Sequence, residues 1–276
     1  MLYLVATPIG NLGDISARAL ETLAAVDFIA AEDTRVTLKL LSHFGIKKPL
    51  VSYYEHNKSG SGAMILERLK NGETAALVTD AGMPAISDPG EDMVALCVEA
   101  GIDVLIIPGA CAAVSALAMS GLPTGRFTFE GFLSTSTKSR REHLDELKTE
   151  RRTMIFYEAP HKLKRTLEDM LEAFGDRRIS LSREMTKIHE ETLRTTFSGA
   201  LEFYAEKPPR GEYVLVIEGV QSVAAEQPSM DDALTLVREL MAEGKTQRDA
   251  VKLAAAQTGM SKNALYSAVV AEKTSG

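Results

Sequence analysis

Three loops rich in glycine and proline could form a ligand site. They lie at residues 6–14, 80–90 and 108–112, and each follows a short apolar run that is typical of a buried strand. In an open α/β sheet, ligands bind beyond the carboxyl ends of the strands, because the loops there bring helix N-termini and free backbone groups together. The second loop adds two carboxylates, Asp80 and Asp88. Any one loop could be an ordinary turn, but three at one sheet edge predict a binding site.

The elements that must position these loops alternate along the first part of the chain. Runs predicted as strands are found at residues 2–6, 28–31, 50–53, 74–79 and 103–107, and amphipathic helices are predicted at 15–26, 34–44, 63–70 and 91–99. This order predicts a mostly parallel sheet covered by helices. A helix of small residues follows at 111–120, and a Gly/Pro break places a domain boundary after Gly121.

The remaining chain predicts two further units and a linker. Residues 122–220 contain several strands and fewer helices, which indicates a second α/β domain with a mixed sheet. Residues 221–230 are a polar linker, and residues 231–276 predict three helices that resemble a helix-turn-helix around Gly259. The predicted architecture is therefore α/β, with an N-terminal α/β domain at 1–121, the second domain and a small helical C-terminal domain.

Composition narrows the possible functions of the 276 residues. Two unpaired cysteines and five scattered histidines argue against a disulfide scaffold or a zinc site, and a reducing cytoplasm is the expected location. The sequence has no apolar run of about 18 residues, so no membrane span is expected. None of the loops has a GxGxxG or Walker pattern, which argues against dinucleotide and triphosphate ligands. The formal net charge of −7 argues against broad, non-specific coating of nucleic acid.

Five motifs carry a resemblance that covers nearly the whole chain. They are ATPIGNLGD at 6–14, AEDTR at 31–35, TDAGMPAISDPG at 79–90, FYEAPH at 156–161 and REMTK at 183–187. Together they resemble the ribosomal RNA small subunit methyltransferase I family of the tetrapyrrole methylase superfamily. The resemblance implies methyl transfer from S-adenosylmethionine to the ribose 2′-hydroxyl of a cytidine in 16S ribosomal RNA, near the decoding site. It also implies that the cofactor lies in a cleft between two α/β domains, that the enzyme is a homodimer and that its partner is 16S rRNA or the small ribosomal subunit.

The same resemblance assigns residues to the cofactor. Pro8 of the first loop is matched, and the adenine-side contacts are expected from Phe132 and Tyr157 of the second domain. Oxygen atoms suit the ammonium and ribose groups of this cofactor, and apolar walls suit its adenine. From the second and third loops the matched residues are Asp80, Gly82, Pro84, Ser87, Pro108, Gly109 and Ala110.

The predicted reaction is a direct displacement, in which the enzyme holds oxygen, carbon and sulfur in line and requires no metal. A positioned base would help because a ribose hydroxyl is a weak nucleophile. Glu184 is our candidate, since it follows a strand that should open toward the cleft; Glu158, His161 and Asp80 are the others. For each carboxylate, a structural role in a salt bridge or cap remains open.

One basic stretch stands out from the acidic average. Residues 134–165 hold nine Lys and Arg against five Asp and Glu. We expect RNA contacts from Arg140, Arg141 and Lys162, together with Arg183 and Lys187, because phosphate attracts such cations. The alternative is a solvated helix face with mixed ion pairs.

Two other functions remain open from the sequence. The first is methylation of a tetrapyrrole or another small molecule on the same fold. The second is a non-catalytic RNA-binding protein that uses the helical tail, although the three loops would then have no role.

Overall fold

The computed structural model describes residues 1–221 and 229–275, which belong to two compact units. The first unit, Met1–Gly219, contains two five-stranded sheets, and the second, Val220–Gly276, is helical. Most of the predicted linker at 221–230 lies outside the described residues. The division of the first unit at residue 121 stays a prediction, and it falls between the elements of the two sheets.

The first sheet is parallel throughout, as the alternating pattern predicts. Its strands are β1 (Leu2–Val5), β2 (Phe28–Ala31), β3 (Leu50–Ser52), β4 (Ala75–Val78) and β5 (Val104–Ile107). They are arranged in the order β3-β2-β4-β1-β5. All residues of β2 and β4 are buried, because helices cover both faces of a parallel sheet.

Four helices connect these strands and position the loops, and a fifth follows β5 and leads to the second sheet. They are α1 (Ala17–Ala25), α2 (Thr34–His43), α3 (Lys58–Lys70), α4 (Gly90–Glu99) and α5 (Ala112–Met119). Side-chain oxygens of Ser16 and Asp33 accept backbone N–H groups and start α1 and α2. The helix α3 begins five residues before its predicted start, because Gly60 and Gly62 are weak helix formers that hide its first turns in the sequence.

The second sheet is mixed, which also agrees with the prediction. Its strands are β6 (Phe127–Phe132), β7 (Thr153–Glu158), β8 (Arg178–Arg183), β9 (Glu191–Thr196) and β10 (Tyr213–Ile217). The order is β6-β7-β10-β8-β9, with β6 parallel to β7 and every other pair antiparallel. A bulge in β6 between Phe129 and Gly131 shifts the register just before Phe132.

Three helices cover this sheet. They are α6 (Thr137–Glu146), α7 (Leu163–Phe174) and α8 (Phe197–Glu206). The sequence did not predict α8, because Gly199 and the β-rich run before it disguise the helix start. In the structure, the Thr196 side chain accepts the Gly199 N–H and caps α8, and Phe197 is fully buried in the core.

The C-terminal unit is a three-helix cluster that matches the predicted helical region. It contains α9 (Met230–Ala242), α10 (Gln247–Thr258) and α11 (Lys262–Ser275) around its own apolar core. Ser229 and Asp232 form a capping box at the start of α9, and Gly259 ends α10 in the left-handed conformation, with φ +70°. Among the described residues of both units, every helix is too short or too polar to cross a membrane.

Candidate active site

The three predicted loops meet at the carboxyl edge of the first sheet. Thr7 and Gly82 exchange two backbone hydrogen bonds of 2.9 and 3.0 Å, which join the loop after β1 to the loop after β4. A methyl group added at Gly109 would lie 2.9 Å from Cβ of Ala6. One added at Gly82 would lie 3.6 Å from the carbonyl oxygen of Ala110, and Gly82 has a φ of +90° that favours glycine. The close contact at Gly109 and the left-handed φ at Gly82 therefore favour glycine at these two positions.

The loop at 80–90 is organised by one carboxylate. Asp88 accepts hydrogen bonds from the backbone N–H groups of Ala85, Ile86 and Gly90 at 2.8–3.3 Å. Burial raises the pKa of Asp88, whereas these three amides favour its charged form. The bonds hold Ala85 and Ser87 at φ of +64° and +69°, conformations that non-glycine residues seldom adopt. Asp88 therefore has a structural role in this loop.

Asp80 lies in an acidic network on one side of this edge. Its carboxylate accepts the Asp33 N–H at 3.0 Å, and Glu32 accepts the hydroxyl of Thr79 at 2.5 Å. Although Asp80 is largely exposed, partial desolvation and then the charge of Glu32 raise the pKa of its carboxyl group. Asp80 and Pro8 line a shallow groove beside the first loop.

A second cavity opens between these loops and the second sheet. From the first sheet's side it is lined by Ile9, Ala81 and Ala112. From the second sheet's side it is lined by Phe132, Tyr157, Glu158, Arg183, Glu184, Met185, Lys187, Glu212, Tyr213 and Val214. It brings together six residues that the sequence assigned to cofactor, catalysis or RNA, or weighed as a base; they are Phe132, Tyr157, Glu158, Arg183, Glu184 and Lys187.

An aromatic wall forms one side of the cavity. The rings of Phe132 and Tyr157 have centroids 5.5 Å apart, and Phe129 packs on Tyr157 at 5.1 Å in an edge-to-face arrangement. Phe132 is 55% exposed, which is unusual for a large apolar side chain. Burial raises the pKa of Tyr157 to about 12, so its phenol keeps its proton throughout the neutral range.

Glu184 forms an ion pair across the floor of the same cavity. Its Oε1 accepts a hydrogen bond from Nζ of Lys187 at 3.0 Å, and both side chains are partly exposed. Glu184 and Thr186 have φ of +50° and +67°, so the turn after β8 bends sharply. The Lys187 N–H donates to the Glu184 carbonyl, and the Thr186 N–H donates to the Glu190 carboxylate. These bonds hold the REMTK motif in a fixed turn.

Glu158 lies at the end of β7 and is only 3% exposed. Its carboxylate accepts hydrogen bonds from the Ala159 N–H and from the Thr166 hydroxyl. The Thr166 oxygen accepts in turn from the Arg140 guanidinium at 2.9 Å, and Nε of Arg140 pairs with Asp169. This buried chain of hydrogen bonds satisfies Glu158 and favours a structural role for it.

The structure corrects one of the predicted RNA contacts. Arg140 is 5% exposed and bonded to Thr166 and Asp169, so it is not on a surface that RNA could reach. The i, i+4 spacing of Arg140 and Leu144, which is also buried, was the sequence signal for this inward face of α6. Neighbouring Arg141 is exposed.

The other residues predicted to contact RNA differ from Arg140 in their exposure and in their ion pairs. Lys162 is half-buried at the start of α7, and it forms no ion pair among the described residues. Arg183 pairs with Glu191 across β8 and β9, while Lys187 pairs with Glu184. Three other cations of the basic stretch are engaged at the surface with Glu142, Asp145 and Glu150. Much of this stretch is therefore the mixed helix face that we considered as the alternative.

Several predicted residues lie near the cavity without lining it. Pro84 is buried, and His161 is exposed away from the lining. Pro108 and Gly109 are exposed and Ala110 is half-buried, and all three are outside the lining. Ser87 reaches the second sheet, because its hydroxyl lies 3.6 Å from where a Gly131 side chain would begin. No group of three or more His, Cys, Asp or Glu side chains within residues 1–221 and 229–275 is arranged to hold a metal ion.

Sequence reasoning missed part of the lining. Ile9, Ala81 and Met185 lie inside the quoted motifs and Ala112 ends the third loop, and this position was the available signal. Their side-chain directions depend on sharp turns that periodicity does not predict. Outside every predicted motif lie Glu212, Tyr213 and Val214.

Comparison with known proteins identifies the family of the chain. Residues 1–200 match the family described as Tetrapyrrole (Corrin/Porphyrin) Methylases. A Ribosomal RNA small subunit methyltransferase I from Synechocystis sp. is 48% identical over 267 residues, 96% of each chain. One from Bacillus subtilis is 46% identical over 272 residues, which is 97% of this chain and 93% of the relative. The chain belongs to the ribosomal RNA small subunit methyltransferase I branch of the tetrapyrrole methylases. The family predicted from the motifs is thereby confirmed.

The tetrapyrrole methylase fold is also seen in solved structures. A uroporphyrin-III-C-methyltransferase from Thermus thermophilus superposes with a TM-score of 0.56 at 21% identity, covering 79% of this chain and 93% of its own. A diphthine synthase gives 0.60 at 15% identity, with 79% and 89% covered. These similarities confirm the fold. The C-terminal region, residues 227–273, matches the family described as RsmI C-terminal HTH domain.

Proposed function

We propose that this tetrapyrrole methylase transfers a methyl group from S-adenosylmethionine to the ribose 2′-hydroxyl of a cytidine in 16S ribosomal RNA, near the decoding site. The proposed partner is the small ribosomal subunit, and the proposed assembly is a homodimer. The observation that carries the proposal is the cavity, where the candidate base Glu184 shares one lining with the aromatic wall of Phe132 and Tyr157. The names of the relatives support ribosomal RNA as the substrate.

The residues of the cavity fit this cofactor. S-adenosylmethionine supplies a sulfonium methyl group that a hydroxyl oxygen can attack, leaving a neutral thioether. Apolar walls suit adenine, and Phe132 and Tyr157 offer such a wall for it, whereas the carboxylates of Glu184 and Glu212 in the same lining favour a positively charged ligand. Both cations of the lining, Arg183 and Lys187, are paired with carboxylates, which reduces their repulsion of a positively charged ligand. The closely packed loops at Gly82 and Gly109 would hold the other end of the cofactor through backbone groups.

In the proposed reaction, Glu184 takes the proton of the ribose hydroxyl while the hydroxyl oxygen forms the new bond to the methyl carbon. A base of this kind contributes about a hundredfold or more. Tyr157 does not compete for this role, because its phenol stays protonated until about pH 12. Asp80 and Asp88 act on the loops instead, where their carboxylates bond to backbone amides.

The substrate class is tested with methyl-labelled S-adenosylmethionine and three acceptors. These are small ribosomal subunits reconstituted with unmodified 16S rRNA, the same rRNA free in solution, and uroporphyrinogen. We expect label in RNA, with more in the assembled subunits than in free rRNA. Label in the tetrapyrrole alone would instead support the small-molecule alternative, and RNA binding without label would support a non-catalytic role for the helical tail.

A further inference from the structure

Two glycines form the walls of a slot that holds the Glu184–Lys187 ion pair. Gly10 belongs to the loop after β1, and Gly211 belongs to the turn before β10. A methyl group added at Gly10 would lie 2.6 Å from Cγ and 2.8 Å from Cε of Lys187. One added at Gly211 would lie 2.6 Å from Oε1 of Glu184. Real side chains do not approach so closely, so each position is closed to a larger residue while the pair stays in place.

Glycine is favoured at Gly211 and at Gly10 for different reasons. Gly211 has a φ of +72°, which favours glycine whatever lies beside it. Gly10 has no left-handed φ, and its backbone conformation suits other residues. The lysine stem that crosses its Cα makes the two closest contacts and therefore accounts for most of the crowding, with Oγ1 of Thr186 next at 3.0 Å. This contact is long-range in sequence, since it joins the first loop of the first sheet to the turn after β8 of the second sheet.

We propose that Gly10 is a positioning residue for methyl transfer, because its missing side chain lets Lys187 cross the first loop and hold the Glu184 carboxylate at the cavity. This inference rests on the proposed function. Under this proposal, the loop that contains Pro8, a predicted cofactor contact, also fixes the base Glu184. One segment of the chain then aligns the cofactor and the RNA. The proposal also gives Lys187 a role inside the enzyme, where the sequence predicted a contact with RNA phosphate.

The kinetic test compares Gly10→Ala with Gly125→Ala. Gly125 is a matched control, because it is also a loop glycine without a left-handed φ, and a methyl group there would meet no atom within 4 Å. For Gly10→Ala we expect kcat at saturating RNA to fall about tenfold or more, since displacing a reacting group by about 1 Å has large effects on rate. KM for S-adenosylmethionine should stay within about twofold of the wild-type value, as for a contact that acts on the chemical step. Gly125→Ala should match the wild type in both constants.

A double-mutant cycle shows whether Gly10 acts through Lys187. Lys187→Ala should lower kcat about as much as Gly10→Ala, and the double variant should be no slower than Lys187→Ala alone, because the crowded side chain is gone. Additive losses would overturn the proposal and indicate an independent structural effect of Gly10. If Lys187→Ala changes only KM for RNA and leaves kcat unchanged, the proposal is also overturned. That result would support the predicted contact between Lys187 and RNA phosphate.

A chemical readout tests the slot independently of methyl transfer. Brief acetylation with acetic anhydride, followed by mass spectrometry, reports how available the Lys187 amine is. Releasing it from Glu184 in Gly10→Ala should raise its acetylation rate about two- to fivefold, the range that corresponds to a partly exposed ion pair. The exposed Lys164 should react equally in both proteins. An unchanged rate at Lys187 would contradict the slot, whereas a raised rate with no methylation of any RNA would retain the slot and reject the proposed reaction.

Discussion

Phe132 and Tyr157 hold their ring centroids 5.5 Å apart at the cavity wall, although they come from two different strands of the second sheet. The bulge before Gly131 makes this pairing possible, because it resets the register so that Phe132 stands opposite Tyr157. Phe132 remains more than half exposed. A large apolar ring in that position is suited to contact with a ligand.

Removal of this ring should weaken cofactor binding. We expect Phe132→Ala to raise the Kd for S-adenosylmethionine about tenfold, through loss of an aromatic contact and its buried area. Isothermal titration calorimetry measures this directly. Phe127→Ala is the matched control, since Phe127 lies on the same strand, is 42% exposed and does not line the cavity. Equal Kd values for the two variants would remove Phe132 from the site.

Substitution of Arg140 should lower stability much more than substitution of its neighbour Arg141. Arg140→Ala leaves the Thr166 oxygen without its guanidinium donor and Asp169 without its main ion pair. Because Asp169 is one-third exposed, we expect a loss of about 2–3 kcal/mol in the free energy of unfolding, below the usual range for fully buried pairs. Arg141→Ala should change stability by less than about 0.5 kcal/mol.

Binding to small ribosomal subunits gives a second comparison of the Arg140 and Arg141 variants. Arg141→Ala should weaken binding and lower its dependence on salt concentration, because one phosphate contact is lost. Urea unfolding and filter binding at several salt concentrations measure the two effects. If Arg140→Ala unfolds like the wild type, the buried hydrogen-bond chain through Thr166 has no energetic role.

Alkaline pH should destabilise the protein through its buried tyrosines. Burial raises the pKa of Tyr53 and of Tyr157 from 10.0 to about 12, and it also raises the pKa of Tyr204. The unfolded chain releases these protons near pH 10, whereas the folded chain keeps them to about pH 12. Their contribution to stability is therefore complete below about pH 10 and is lost as the pH rises toward 12.

Urea unfolding at a series of pH values, with tyrosinate absorbance as a second signal, measures this loss. Tyr157→Phe should flatten the pH dependence, because that variant has one fewer proton to release. Ionisation of all tyrosines near pH 10 without any loss of stability would contradict the burial argument.

The sequence predicted the sheets well for a simple physical reason. The strands β2 and β4 are buried on both faces, so their apolar runs are short, continuous and clearly bounded. The helix α8 was missed, because a capping threonine and a glycine start it where the pattern still looks extended. Local propensity could not show that packing of Phe197 in the core decides the outcome.

The site was predicted only in part. The motifs identified the right loops, since Gly and Pro mark sharp turns at the sheet edge. Arg140 was placed on the surface because charge was counted along the chain and not around the helix. The contact between Gly10 and Lys187 joins positions far apart in sequence, and it depends on the turn after β8, where Glu184 and Thr186 are left-handed. Such a contact follows from tertiary packing, so no pattern in the sequence predicts it.

Methyl transfer to the cytidine 2′-oxygen with Glu184 as the base is tested by identifying the methylated atom and its dependence on Glu184. Unmodified small ribosomal subunits are incubated with labelled S-adenosylmethionine and with wild-type protein, Glu184→Gln or the exposed-carboxylate control Glu202→Gln. The RNA is then digested to nucleosides for mass spectrometry. We expect label in 2′-O-methylcytidine, made about a hundredfold more slowly by Glu184→Gln and at the normal rate by Glu202→Gln. Label on a base, or full methylation by Glu184→Gln with an unchanged pH profile, would contradict this expectation.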